Sequence, residues 1–330
     1  MSQPIRQSLG YRLLYAYVRW MYTACYCRTV EVRGRAHVPA DRPVVFVTTH
    51  QNNLADALAL LFATPRRPAF VARADYFRRP AIDRALRFLR MLPMYRADHG
   101  RRAIADRLPE TMDRLRAHLV AGGACAIMAE GSSAPSRTLR PLKKGWARLV
   151  LDTLPDAPRL AVVPVAIEYS DWDAWGPDVR VVVGAPLAVE PPGDDVPRQL
   201  NAMNERMADA LTGLLADDAE VAAWHRRVTE RRRGRDRLWR IAGLPALAVA
   251  LVLLAPVLLL ARRAVRTHPR ADFQSTLEIG IVALGTPVWA LLLGLAAWAA
   301  FGPAAFIVGA LILPLVLWMA ARSWIAWTVR

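Results

Sequence analysis

The first 240 residues alternate short apolar runs with segments of helical periodicity. Strand-type runs fall at 44–49, 68–73, 125–130, 160–169 and 179–184, and helix-type segments at 52–63, 80–90, 101–120, 145–154 and 197–232. Near-continuous apolar strands separated by helices predict an α/β fold with a mixed, mostly buried sheet flanked by helices. Ligands gather at the carboxyl ends of such strands, so we expect the site in the turns after Thr49, Arg96 and Glu130.

The last 90 residues follow a different pattern, with three charge-free runs at 241–261, 279–300 and 303–321. About 20 apolar residues suffice to cross a bilayer, so each run is long enough for a membrane helix. The second and third runs predict a hairpin. Positive charge marks the cytoplasmic side, and here arginines flank both ends of 241–261. With Pro245 and Pro256 inside it, this run is predicted to bend and to leave by the face it entered.

The N-terminal region contains a short aromatic segment, YRLLYAYVRWMYTA at 11–24, in which only the six residues Leu13–Val18 form an apolar core between two arginines. That core is too short for a secretory signal. The segment predicts an amphipathic helix at the membrane interface, and a helix packed on the soluble domain is the alternative. We expect four regions: an interfacial helix in 1–28, an α/β domain in 29–224, an Arg-rich juxtamembrane helix in 225–240, and membrane segments in 241–330.

Composition and net charge limit the classes of molecule that the protein is expected to bind. The 330 residues are 54% hydrophobic with a mean hydropathy of +0.18, and the net charge is +16. Such a charge points to nucleic acid, a phosphorylated substrate or an anionic membrane. Because eight arginines at 226–240 directly precede a membrane segment, we expect membrane lipids as partners and no nucleic acid. Three cysteines without metal-ligand spacing fit a reducing compartment and predict no metal site.

A histidine and a carboxylate follow the first predicted strand. His50 comes directly after the run 44–49, and Asp56 lies six positions later on a helix that Asn52 or Asn53 could cap. A carboxylate beside an imidazole fixes its tautomer and stabilises the imidazolium, which suits a general base. A hydrogen-bonded turn histidine without a chemical role is the alternative.

A second polar cluster follows the run 125–130. Glycine permits close approach of backbone to a ligand, and arginine or lysine can bind phosphate. The chain has only two lysines, and they are adjacent, at 143 and 144. Considered one at a time, each arginine is expected to be a solvated charge on the protein surface. The candidate residues of this cluster, with one from a strand-like segment upstream, are Glu130, Gly131, Ser132, Ser133, Arg137, Arg140, Lys143 and Arg96.

Four blocks in this order resemble the glycerolphosphate acyltransferase family, which includes lysophosphatidate acyltransferases. The family has an Asn-His-x4-Asp block, then an Arg-containing block, then Phe-Pro-Glu-Gly-Thr-Arg-Ser, then a Val-Pro-Val strand. The similar segments of this chain, in the same order, are TTHQNNLAD, LPMYRADHG, MAEGSSAPSR and VVPVAIEY. Five residues separate His50 from Asp56, not four, which resembles the branch with yeast-type glycerol-3-phosphate acyltransferases. That branch also has a Pro-Leu-Lys-x-Gly motif, matched at 141–145. Ser132-Ser133 replaces Thr-Arg, so the usual phosphate-binding arginine is missing.

Without a secretory signal, the soluble part is expected to face the cytoplasm. The resemblance implies a membrane-bound enzyme that works in phospholipid biosynthesis without a cofactor. It would move an acyl group from acyl-CoA or acyl carrier protein to the hydroxyl of glycerol-3-phosphate or 1-acylglycerol-3-phosphate. His50 would act as base and Asp56 would orient it. The phosphate would be bound by Arg96, Arg137 and Lys143, in a pocket shaped by Glu130 and Gly131 and supported by Asn52, Ser132, Ser133 and Arg140. There are two alternatives. One is an acyltransferase that uses another lysolipid acceptor, and the other is a non-catalytic lipid-binding protein with the same fold.

Overall fold

The computed structural model describes residues 9–95, 101–268 and 274–328, and one seven-stranded sheet lies at its centre. The strand order is β1-β7-β6-β2-β5-β3-β4, and every neighbouring pair is parallel except β6 and β7. The predicted mixed sheet is therefore confirmed. The strands are β1 Thr29–Arg33, β2 Val44–Thr48, β3 Ala69–Arg73, β4 Met91–Met94, β5 Ala124–Met128, β6 Ala161–Tyr169 and β7 Asp178–Val183.

Helices cover both faces of the sheet, which explains why every residue of β2 and β6 is buried. One face packs on α2 and on aromatic residues near the N-terminus, and the other packs on α4, α5 and α6. The helices of this part are α1 Leu9–Trp20, α2 Asn53–Ala63, α3 Pro80–Phe88, α4 Arg101–Val120, α5 Gly145–Thr153, α6 Val196–Thr212 and α7 Asp218–Ala242, with a π-helical turn at Met21–Tyr26.

The strand register determines which turns meet. Thr48 of β2 lies opposite Met128 of β5 and Val165 of β6. The carboxyl ends of β2 and β5 therefore lie side by side, and His50 and Glu130 each follow two residues later. The two polar clusters of the sequence thus meet at the carboxyl ends of the neighbouring strands β2 and β5.

The predicted helix 197–232 is wrong as a single element. The chain leaves α6 at Thr212 and starts α7 at Asp218. The Asp217 carboxylate accepts a hydrogen bond from the backbone N–H of Glu220, whose own side chain accepts from the N–H of Asp217. This capping box satisfies N–H groups that have no partner within the helix, so a new helix starts here. α7 then continues without a break past position 240.

The described residues of the C-terminal region form four helices, α8 Leu244–Leu253, α9 Ala255–Thr267, α10 Gln274–Phe301 and α11 Pro303–Thr328. By length and composition, α10 and α11 are suited to cross a membrane. α8 and α9 meet at a bend of 73° beside Pro256, which confirms the predicted bend of this run. The Trp289 indole of α10 donates to the Leu253 carbonyl at the bend, 2.7 Å away, so the hairpin packs against it as predicted.

Both ends of the α10–α11 hairpin contact the α/β part. At the start of α10 the Thr276 hydroxyl accepts from the backbone N–H of Leu54, and near the end of α11 Arg322 donates to the Arg28 carbonyl. The predicted N-terminal helix is present as α1, and its Tyr17 hydroxyl donates to the Ala283 carbonyl of α10 at 2.7 Å. Its Tyr15 hydroxyl donates to the Leu61 carbonyl of α2, so α1 contacts both the α/β part and the membrane-length helices.

Candidate active site

His50 and Asp56 are in direct contact. The Nδ1 atom of His50 lies 2.9 Å from Oδ2 of Asp56, and both residues are buried. Because an ionised carboxylate only accepts hydrogen bonds, this contact assigns the proton to Nδ1 and leaves the lone pair on Nε2. Nε2 has no hydrogen-bond partner within the described ranges. The arrangement therefore presents an unprotonated imidazole nitrogen to a substrate.

Asp56 is held by three further donors. Its Oδ2 accepts from the backbone N–H groups of Gln51 and Asn52 at 2.9 and 2.8 Å, and its Oδ1 accepts from the Tyr169 hydroxyl at 2.8 Å. Burial of the ring, and next the charge of Asp56, raise the pKa of Tyr169 well above its usual value, so its hydroxyl remains a donor. The sequence did not predict a role for Tyr169 in the site, because a tyrosine in an apolar strand is expected to belong to the hydrophobic core.

The predicted capping of α2 by an asparagine side chain is wrong. Asn52 occupies the N-cap position but its side chain makes no capping bond, and Asn53 is already the first helical residue. The Asn52 amide donates instead to the Trp172 carbonyl at 3.0 Å, and its oxygen accepts from the Ser275 hydroxyl of α10. Asn52 thus joins the catalytic turn to the loop after β6 and to α10.

Glu130 and Arg140 hold the turn that carries His50. The two Glu130 carboxylate oxygens accept from the His50 backbone N–H and from Nε of Arg140, each at 2.7 Å. Arg140 also donates to the Ser132 hydroxyl at 3.0 Å and to the His50 carbonyl at 3.2 Å. These contacts make Glu130, Ser132 and Arg140 positioning residues. Ser133, the other predicted support, is buried in the same turn.

Gly131 and Lys143 lie against each other. Gly131 has φ +77°, in the left-handed region, and an added Cβ would lie 3.1 Å from Cγ of Lys143. The absence of a side chain therefore lets the lysine stem cross the glycine. The Lys143 side chain is exposed, and within the described residues it makes no ion pair. Its ammonium is therefore available to an anion beside the catalytic turn.

Arg137 lies near the turn but already has protein partners. Its guanidinium donates to the Tyr169 carbonyl at 3.0 Å, stacks over the Trp172 ring at 4.5 Å and pairs with the exposed Asp218 at 2.8 Å. Trp172 in turn donates to the Gln51 side chain at 3.1 Å. Arg96, the remaining predicted phosphate ligand, lies outside the described residues.

Comparison with known proteins agrees with this geometry. Residues 29–168 match the acyltransferase family. The matched range, here called the acyltransferase domain, contains His50, Asp56 and Glu130 and ends one residue before Tyr169. It supports the resemblance to the phospholipid and glycerol acyltransferases, whereas the His-x5-Asp branch stays a prediction.

No curated protein sequence matches the chain, whereas solved structures show a distant similarity. One of them is the crystal structure of the 1-acyl-sn-glycerophosphate (LPA) acyltransferase PlsC from Thermotoga maritima, at 18% identity with a TM-score of 0.44. The similarity covers 62% of this chain and 78% of that one. α1 and α6–α11 lie outside the acyltransferase domain.

Proposed function

We propose that the protein is a membrane-bound O-acyltransferase. It moves a fatty acyl group from the thioester of CoA or acyl carrier protein to the hydroxyl of glycerol-3-phosphate or 1-acylglycerol-3-phosphate. The observation that carries the proposal is the pairing of His50 with Asp56 at 2.9 Å, with Nε2 free, in a domain that matches the acyltransferase family. The exposed ammonium of Lys143 beside this turn supports a phosphorylated acceptor.

His50 acts as a general base in this mechanism. Its Nε2 takes the proton of the acceptor hydroxyl while that oxygen attacks the thioester carbonyl carbon. The tetrahedral intermediate then collapses, the carbon–sulfur bond breaks, and the leaving thiolate takes the proton back from the imidazolium. Asp56 stabilises the imidazolium between these steps, as carboxylates do in catalytic triads. The chain has no Gly-x-Ser-x-Gly motif, so transfer is direct.

The cations divide into two groups by their contacts. Arg140 already pairs with Glu130, and Arg137 already bonds the Tyr169 carbonyl, so both hold loops of the site in place. Lys143 is left as the described cation best suited to bind the acceptor phosphate, and Arg96 is proposed as a second phosphate ligand from the resemblance. Replacement of the family's usual arginine by Ser132-Ser133 favours a lysolipid with a different head group as the alternative acceptor.

The test is acyl transfer by the purified full-length protein in lipid nanodiscs. Palmitoyl-CoA and palmitoyl-acyl carrier protein are each offered with glycerol-3-phosphate, 1-acylglycerol-3-phosphate and an uncharged monoacylglycerol. We expect transfer to a phosphorylated acceptor and little to monoacylglycerol. Preference for the uncharged acceptor would contradict the phosphate assignment. Absence of transfer with every pair would contradict the enzyme assignment.

A further inference from the structure

A cavity of about 460 Å³ lies between the α/β part and the C-terminal helices. It is lined by residues of α1, the π-helical turn, the loop after β6 and all four C-terminal helices. Its volume is in the range of small-molecule sites. None of its lining residues belongs to 29–168, so the acyltransferase domain does not form it.

The wall of this cavity is mostly apolar, with charges at one end. On α10 the lining residues Glu278, Val282 and Thr286 recur every four positions, so they form one face that runs about 12 Å along the helix. Small side chains at Ala250 of α8 and Ala320 of α11 leave the space open. A wall made mostly of apolar side chains suits a hydrocarbon chain better than a polar molecule.

The charged end of the cavity lies next to the catalytic turn. Ser275, one helical turn before Glu278, donates to the side chain of Asn52. In the loop after β6, Trp172 contacts the catalytic turn through Gln51, and the next residues, Asp173–Trp175, line the cavity. Two separate connections therefore join this part of the cavity wall to the turn that carries His50.

We propose that this cavity binds the hydrocarbon chain of the acyl donor, so that the appended helices and not the acyltransferase domain select the chain. The proposal rests on the proposed acyl transfer. The donor is the occupant because every transfer brings an acyl chain on the donor, whereas glycerol-3-phosphate has none. In this arrangement the chain lies along α10 and the thioester lies at the turn of His50.

Filling the cavity should change chain-length preference. Ala250→Leu adds bulk to the wall, and Ala248→Leu is the matched control because Ala248 of the same helix is exposed and does not line the cavity. We expect Ala250→Leu to lower kcat/KM for palmitoyl thioester relative to octanoyl thioester by about ten-fold, roughly the effect of two methylene groups that are no longer buried. Ala248→Leu should leave this ratio unchanged. An unchanged ratio in Ala250→Leu would overturn the proposal.

Photocrosslinking keeps this test independent of turnover. Palmitoyl-CoA with a diazirine at the chain end, added to the protein in nanodiscs, should label cavity residues such as Leu247 and Val282, and unlabelled palmitoyl-CoA should compete. Labels confined to 29–168, or spread over exposed positions such as Val249 and Leu292, would overturn the proposal. Competed labelling in the cavity of a protein that transfers no acyl group would support the chain site and contradict the enzyme assignment.

Thr286 distinguishes an apolar occupant from a polar one. Its buried hydroxyl lines the cavity without a hydrogen-bond partner within the described part of the chain. If a hydrocarbon chain occupies the space, Thr286→Val should keep or increase the crosslinking yield, since the shape is preserved and an unpaired polar group is removed. A loss of crosslinking would show that the occupant bonds this hydroxyl, which contradicts a hydrocarbon chain.

Discussion

At the scale of single residues, the site depends on a carboxylate whose two oxygens are both occupied. Asp56 accepts from His50, from two backbone N–H groups and from Tyr169. These donors fix the carboxylate, and the carboxylate in turn fixes the imidazole. Strand-end position made His50 and Asp56 candidates, and the resemblance to the acyltransferase family favoured their catalytic role. Tyr169 could not be predicted, because its hydroxyl becomes significant only where β6 passes the first turn of α2.

Tyr169→Phe removes the hydrogen bond to Oδ1 and leaves the ring in place. We expect about a ten-fold lower kcat, in line with the loss of one hydrogen bond to a charged group. Tyr22→Phe is the control, because Tyr22 is equally buried but bonds the Ala55 carbonyl. Equal kcat values for Tyr169→Phe and Tyr22→Phe in steady-state kinetics would contradict this role.

Lys143 and Lys144 offer a matched pair for the phosphate. Both are exposed, but Lys143 crosses Gly131 beside the catalytic turn and Lys144 bonds Asn201 of α6. Loss of a charge-assisted phosphate contact costs about 1.5–3 kcal/mol. Lys143→Ala should therefore raise the KM for a phosphorylated acceptor about ten-fold or more and leave the donor KM unchanged. Steady-state kinetics check this, and an equal effect of Lys144→Ala would refute the assignment.

At the scale of elements, a buried ionic cluster ties α7 to the edge of the sheet. Arg28 before β1 donates from Nε to Asp178 of β7 at 2.9 Å, and His225 of α7 contacts the same carboxylate at 2.9 Å. Burial alone would raise the pKa of Asp178, but the hydrogen bonds from His225 and Arg28 outweigh it and hold the pKa below its usual value. The cluster therefore stabilises the fold at neutral pH, and that stability is lost as the pH falls through this lowered pKa.

Asp178→Asn would leave the buried Arg28 without its partner charge. Breaking one side of a buried ion pair costs about 3–5 kcal/mol, so the thermal midpoint should fall clearly. Asp41→Asn serves as the control, since the Asp41–Arg159 pair is exposed and its loss should leave the midpoint unchanged. Thermal unfolding in detergent, followed by circular dichroism, measures both. Equal midpoints would contradict a structural role of the cluster.

The helices and strands that could be predicted from the sequence are those in which one hydrophobic pattern extends over the whole element. The buried strands β2, β5 and β6 follow from continuous apolar runs, and α10 and α11 from length. β1 was not predicted, because TVEVR is short and charged and lies at the sheet edge. The break between α6 and α7 was missed because the local capping of Asp217 overrides the continuing helical periodicity.

At the scale of the whole molecule, the connections of α8 and α9 favour a re-entrant path. α8 has ten residues and spans about 15 Å, half of the ~30 Å hydrocarbon core. α9 ends seven residues before α10, whose first turn contacts the catalytic turn. Seven residues reach at most about 25 Å, too short to cross the core. Both ends of the α8–α9 pair should therefore face the side of the α/β part, which we propose is the cytoplasm.

Single cysteines at Thr267 and Phe301 test this path in a background that lacks Cys25, Cys27 and Cys125. Intact cells are treated with a membrane-impermeant maleimide. We expect labelling at position 301, at the turn between α10 and α11, and none at position 267 until the cells are opened. Labelling at 267 from outside would establish a full span. Arg270 and Arg330, which flank these segments in the sequence, lie outside the described residues.

The removal of His50, the proposed general base, tests the mechanism most directly. His50 is 8% exposed, so each variant is first compared with the wild type by thermal unfolding. We predict that folded His50→Ala loses at least about 10²-fold in the rate of acyl transfer, the lower end of general-base effects. His118→Ala, a histidine bonded to the Ala124 carbonyl, should keep the wild-type rate. A folded His50→Ala that retains the wild-type rate would contradict the account.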